Sequence, residues 1–149
     1  FGRFAARDRK RRGEGKPETF NFLGFTHICG ETSRGKFTVT RHTMRKKWQT
    51  KLKELKAELR RRLHDSVAEQ GAYLRSVIKG HVNYYGVPLN SRAIGAFRMA
   101  VGRLWYRTLK RRSQLDKVTI ERMKLWTDRW FPPVRVCHPY PYRRFYVRV

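Results

Sequence analysis

The chain has 149 residues, 36 of them Lys or Arg and 11 Asp or Glu, for a formal charge of +25 at pH 7. Hydrophobic residues at 40% and aromatics at 13% supply enough apolar surface for a packed core, which excludes a wholly disordered basic tail. The charge makes a polyanion, nucleic acid first, the expected partner, and no apolar run nears the ~18 residues of a membrane span.

The first sixteen residues hold Arg3, Arg7, Arg9, Lys10, Arg11, Arg12 and Lys16 against Asp8 and Glu14, with Gly13, Gly15 and Pro17 as helix breakers. A mobile basic loop, a solvated linker or phosphate contact, is expected there. Between Thr19 and Thr40, aromatic and β-branched residues favour strands. The run Thr19–Cys29, a Gly-containing turn at 30–35 and the alternation Lys36–Thr40 predict a β-hairpin.

Helices follow. From Thr43 to His64, Met44, Trp48, Leu52, Leu55, Leu59 and Leu63 recur at helical spacing. The other face carries Arg45, Lys46, Lys47, Lys51, Lys53, Lys56, Arg60, Arg61 and Arg62 against only Glu54 and Glu58, a charge excess that suits phosphates better than simple solvation. The pair Glu54 and Glu58 is expected to form salt bridges with its basic neighbours.

A second helix is predicted over Val67–Tyr85, with Leu74, Val77, Ile78, His81, Val82 and Tyr85 inward. Gly71 and Gly80 within it each cost about 1 kcal/mol relative to Ala, which suggests close backbone approach at both. Its basic and polar positions Arg75, Lys79, Asn83 and Tyr84, with Tyr85, are candidate RNA contacts. A third helix, capped by Asn90 or Ser91, runs to Arg112 on the stripe Ile94, Phe97, Val101, Leu104, Trp105 and Thr108. Arg107, Lys110, Arg111 and Arg112 are its candidate phosphate ligands. Trp48, Phe97 and Trp105 read as core. A short fourth helix starts after Thr119. Pro132, Pro133, Pro139 and Pro141 then predict an extended strap whose Tyr140, Tyr142, Phe145 and Tyr146 are either contacts or packing.

Catalytic chemistry is hard to find. The eleven acids include no adjacent pair and no DxD, so a magnesium site for phosphoryl transfer is not expected within this chain. His27 near Cys29 and Cys137 beside His138 match no zinc motif, and His81 reads as a hydrogen-bonded core residue. Two cysteines fit a reducing, cytoplasmic setting. No signal peptide is legible after Phe1, and the first Met is Met44, so the chain is expected to be the distal part of a longer protein.

Phe20-Asn21-Phe22-Leu23-Gly24-Phe25-Thr26-His27-Ile28-Cys29-Gly30 resembles the hairpin that closes the palm of reverse transcriptases encoded by group II introns. The runs Ala72–Pro88, Leu104–Gln114, Asp128–Pro133 and Cys137–Pro139 resemble the thumb and maturase-specific region of that family. The resemblance implies a mainly α fold: an N-terminal β-hairpin, a three- to four-helix bundle and an extended Pro-rich C-terminal strap. It divides the chain into a linker from the end of the palm (1–18), a primer-grip-like hairpin (19–41), a thumb/maturase domain (42–115) and a short helix with tail (116–149).

Phe22, Leu23, Gly24 and Phe25 would then be the primer grip. The family's Tyr-Ala-Asp-Asp block is absent here, and Mg2+ is expected only in the parent polymerase's missing palm, with no cofactor in this chain. The implied partners are intron RNA, template–primer and the missing finger/palm domain, with no membrane partner, in the cytoplasm and associated with nucleic acid. Holding RNA by backbone charge and A-form shape, and preferring the folded intron, would serve reverse transcription and splicing alike. The rival readings are a helix-turn-helix DNA-binding module with its recognition helix at 90–112, and a ribosome-associated basic protein.

Overall fold

The computed structural model describes residues 1–32, 34–112 and 117–140. Tyr142, Phe145 and Tyr146, expected as contacts or strap packing, lie outside the described residues. Eight elements follow one another: α1 (Ala5–Arg11), β1 (Phe20–Phe22), β2 (Phe25–Glu31), β3 (Phe37–Thr43), α2 (Arg45–Arg61), α3 (Val67–Tyr85), α4 (Ser91–Arg112) and α5 (Ile120–Trp130). The fold is mainly α with an N-terminal antiparallel sheet, as the sequence suggested.

Two local expectations need correction. The basic opening holds a helix, α1, where a mobile loop was expected. Gly13 ends this helix, with φ +70°, instead of preventing it, and Asp8 pairs with Arg11 at 2.9 Å one turn along. The hairpin, in turn, is a three-stranded meander ordered β1-β2-β3. The run Thr19–Cys29 is broken by a two-residue turn at Leu23-Gly24, which leaves Phe22 opposite Phe25. Both turn residues have positive φ, 48° and 78°, the geometry whose twist matches that of the flanking strands.

The core belongs to the helices. Leu55 and Leu59 of α2, Leu74, Ile78 and Val82 of α3, and Ile94, Phe97, Val101, Trp105 and Leu109 of α4 form one buried cluster, closed by Met123 of α5 and by Phe131. Each large aliphatic side chain so buried contributes roughly 1.5–3 kcal/mol. Trp105 is wholly buried and its indole N–H donates to Gln70 Oε1 at 2.8 Å. Gln70 uses its amide nitrogen on the Arg62 carbonyl at 2.6 Å, so a buried polar side chain ties the α2–α3 turn to α4. Phe97 is also fully buried, and Trp48 packs half-buried against the cluster.

Helix boundaries follow local chemistry. Ser66 caps α3 by accepting from the Glu69 N–H while Glu69 accepts from the Ser66 N–H, a reciprocal capping box that also pulls the Glu69 carboxyl below its ordinary pKa. Gly71 is explained by packing: a Cβ there would lie 2.7 Å from the Trp130 ring of α5. Gly80 is not, because a Cβ on it would meet nothing within 4 Å. Asn90 does not spend its side chain capping α4. Its amide instead reaches back to Thr43 at the end of β3 and to the Tyr85 carbonyl at the end of α3.

Past Phe131 the chain runs without helix or strand to Tyr140. The backbone N–H groups of Cys137 and His138 both donate to the Gly86 carbonyl, at 2.7 and 3.0 Å, which lays this strap across the C-terminal end of α3.

Trp105→Ala is expected to cost about 3–5 kcal/mol, the transfer term plus the cavity left behind, and to leave Gln70 Oε1 unpaired. Chemical denaturation of the two proteins checks this. A variant that binds RNA poorly but unfolds at the wild-type denaturant concentration would instead place Trp105 on the surface.

Candidate nucleic-acid interface

Helices α2 and α3 leave between them an open groove of about 510 Å³. Its α2 wall is Lys47, Thr50, Lys51 and Glu54, and its α3 wall is Ser76, Val77, Gly80, His81, Tyr84 and Tyr85. Four residues expected to bind RNA, Lys47, Lys51, Tyr84 and Tyr85, are thus brought together from two helices. Lys51 Nζ lies 3.1 Å from Glu54 Oε2, an exposed pair whose worth, at most about 1 kcal/mol, a phosphate readily displaces. Lys47 lines the groove without an ion pair among the described residues.

A second recess of about 570 Å³ lies beside the sheet and shares Tyr84 with the groove. Phe22, Leu23, Phe25, His27 and Arg41 line it from the strands, Asn83, Tyr84 and Val87 from α3 and its exit, and His138 and Pro139 from the strap. Tyr84 borders both spaces and remains 52% exposed. Its hydroxyl donates to the Leu23 carbonyl at 2.8 Å and its ring stacks against Phe25 with centroids 5.9 Å apart. Gly24 fits only as glycine: its φ is +78° and a Cβ would sit 2.9 Å from the Tyr85 hydroxyl oxygen. The Gly24 carbonyl accepts from the Met44 N–H at 2.9 Å, so the turn is pinned to both helices that wall the groove.

His81 departs from expectation. Its ring lies flat on Phe97, centroids 3.7 Å apart, and only 9% of the residue is exposed, as suits the core. Its Nε2 nevertheless has no hydrogen-bond partner. Burial first, and the nearby Lys51 charge second, push its pKa down to about 4, so the ring is neutral at pH 7. Burial likewise raises the Tyr85 hydroxyl above its ordinary pKa, with Tyr84 adding to the shift.

The other expected residues lie elsewhere. Arg45 and Lys46 are exposed on the first turn of α2, just ahead of the groove, and Arg75 and Lys79 are exposed on α3 beside Ser76 and Gly80. Arg60 and Arg61 are some 15 Å farther along α2 than Lys51, and Arg61 is paired with Glu58 at 3.3 Å. Arg107, Lys110, Arg111 and Arg112 are exposed near the C-terminal end of α4, where Arg112 donates to the Asp65 carbonyl at 2.7 Å, at the end of α3 away from the sheet. The expected pairing of Glu54 and Glu58 holds: Glu58 also binds Arg62 at 2.8 Å. Thr50, Ser76, His27, Arg41, Val87, His138 and Pro139 line the two spaces and were not singled out from sequence as contacts. The one readable signal was Ala72, Ser76 and Gly80, small residues four apart that share the exposed side of α3.

A further groove, about 420 Å³ between α4 and α5, is of a different kind. Met99, Ile120, Met123 and Phe131 give it an apolar lining, and none of the residues expected to bind RNA borders it. Among the described residues no three His, Cys, Asp or Glu side chains come together as a metal-holding group. No described helix is long and apolar enough to cross a membrane. Comparison with protein-family models, curated proteins and solved structures finds no match for the chain.

The depressed His81 pKa has a consequence for stability. Between about pH 6.5 and pH 4 the unfolded chain binds a proton there that the folded chain refuses, so the contribution present at neutral pH is lost as the pH falls through this window. The loss should approach about 2–3 kcal/mol near pH 4. His81→Phe, which keeps the stacking on Phe97, is expected to flatten that part of the stability profile measured by denaturant titration. A slope equal to that of the wild type would mean His81 is protonated in the fold.

Proposed function

We propose that this chain binds RNA through the α2–α3 groove and the adjoining sheet recess, as the primer-grip and thumb region of a group II intron reverse transcriptase/maturase. One observation carries the RNA-binding part. Two successive helices present Lys47 and Lys51 on one wall and Tyr84 and Tyr85 on the other wall of one open groove, and Tyr84 also borders the recess at Leu23. Ammonium groups neutralise phosphates, while Tyr84 offers an exposed ring to a base or sugar face. The wider assignment rests on the resemblance of the hairpin and helical runs to that family and on an order of elements, turn-tipped sheet then helix bundle, that such a role requires.

In this reading the chain performs no bond-making step. The Leu23-Gly24 turn, held by Tyr84 and Met44, would present the end of a primer strand to a palm domain. The α2 and α3 faces would hold the following duplex by charge and shape. Splicing assistance would come from the same contacts: a protein that binds the folded intron more tightly than misfolded forms shifts the population toward it.

Changing Lys46, Lys47 and Lys51 together to Ala is expected to weaken binding to a structured RNA across sequences and to lower the salt slope of log K by about 2–3. Filter binding over a range of KCl concentrations reads both quantities. An unchanged slope would mean that this face is only solvated. Displacement of the RNA by duplex DNA at equal phosphate concentration would favour the helix-turn-helix alternative. The coding sequence upstream in the same frame tests the wider assignment: a palm with Tyr-Ala-Asp-Asp supports it, and a stop codon or unrelated domain overturns it.

A further inference from the structure

The groove between α4 and α5 shares no lining residue with the α2–α3 groove or the sheet recess. Its lining is apolar in the middle. Met123 and Phe131 are buried, whereas Met99 of α4 and Ile120 of α5 border the same space with 58% and 72% of their surface exposed. Large apolar side chains shown to water around one hollow mark a surface that another molecule covers. Cations border the same groove, Arg98 and Arg103 from α4 and Lys124 from α5. Arg98 holds its guanidinium over the Phe131 ring, 5.7 Å from the centroid, so one positive charge lies against the apolar lining itself. The acids of α5, Glu121 and Asp128, do not line the groove. Among the described residues Arg98, Arg103 and Lys124 enter no ion pair.

We infer that this groove is a docking site for an acidic amphipathic helix of another protein, with aliphatic side chains against Met99, Ile120 and Met123 and carboxylates paired with Arg98, Arg103 and Lys124. The occupant follows from the two properties taken together. A nucleic acid would answer the charges but set sugar and phosphate against Met99 and Ile120. A second copy of this chain could cover the apolar residues but would bring a charge of +25 toward another of +25. An acidic helix with one apolar face meets both demands. The dimensions agree, because the α4 wall from Arg98 to Tyr106 is about 12 Å long, enough for two turns of a docked helix with anchors at i, i+4 and i+7. Methionine suits such a wall, since its unbranched side chain reshapes around what it meets. The ion pairs would fix orientation and speed encounter more than they add affinity. This inference goes beyond the RNA-binding reading and does not depend on it.

The test uses the whole chain and a fluorescein-labelled helical peptide with leucines at i, i+4 and i+7 flanked by glutamates, read by anisotropy at physiological salt. The melting temperature of each variant and its affinity for an RNA stem-loop are measured alongside. The wild type should bind the peptide. Met99→Gln/Ile120→Gln, at exposed positions and with no change of charge, should weaken it about tenfold or more while melting and RNA affinity stay at the wild-type values. Arg103→Glu/Lys124→Glu should weaken it too, and a peptide with lysines in place of the glutamates should recover binding to that variant alone. The proposal fails if the wild type does not bind the acidic peptide. It fails equally if a peptide with serines for leucines binds as tightly, since charge alone would then hold it, or if the lysine peptide binds the wild type as well. A dimer in sedimentation that Met99→Gln/Ile120→Gln dissolves would make a second copy the occupant, and loss of RNA affinity in that variant would give the groove to RNA; either result overturns the inference.

Discussion

The buried amide of Asn90 is the constraint on which the arrangement depends. It donates to Thr43 Oγ1 at 3.0 Å and to the Tyr85 carbonyl at 2.9 Å, and accepts from the Thr43 N–H at 3.2 Å. Three elements meet in that one side chain: the end of β3, the end of α3 and the start of α4. The residue before it, Leu89, has φ +70°, a left-handed conformation that costs a non-glycine residue on the order of 1–2 kcal/mol. The sheet has little apolar weight of its own, since Phe25 is its one buried residue. Its position relative to the bundle therefore rests on directional polar contacts: Asn90 to Thr43, the Tyr84 hydroxyl to Leu23, and Met44 to Gly24.

The sheet recess and the α2–α3 groove consequently share one rigid border. Tyr84 and Tyr85 are consecutive on α3, yet one faces solvent against the Leu23-Gly24 turn and the other is wedged against Gly24 and His81. A hairpin attached by apolar area alone could slide. One attached through a satisfied buried amide has a single orientation, because each displaced bond would strand a polar group away from water.

Charge and packing are segregated in the same structure. The ion pairs among the described residues are exposed or half-exposed and contribute little against the repulsion of a +25 chain. The burden falls on the helical core and on the bonds that Gln70 makes to Trp105 and to the α2–α3 turn. Between α2 and α3 basic residues lie beside small and aromatic ones. Between α4 and α5, Met99, Ile120 and Met123 make the hollow apolar instead.

Helical periodicity in the sequence was enough to place α3 and α4 at their observed bounds, because Leu74, Ile78 and Val82, and Ile94, Phe97, Val101 and Trp105, repeat at the spacing of one helix face. The turn at Leu23-Gly24 was harder to see inside an apolar run: a leucine at positive φ is disfavoured locally, and the bonds from Tyr84 to Leu23 and from Met44 to Gly24 come from outside the run. The helix at Ala5–Arg11 was obscured for the opposite reason, since Gly13 was read as a breaker of what precedes it when it only terminates it. Composition by itself determined that the chain is basic, core-forming and poor in clustered carboxylates, for these are sums over residues. Only the tertiary structure decided that Lys47 and Lys51 face Tyr84 across a groove, that Gly71 is filled by Trp130 while Gly80 stays bare, and that Asn90 serves the sheet and not its own helix. Each depends on the distance between segments far apart in the chain, which packing sets and local pattern does not encode.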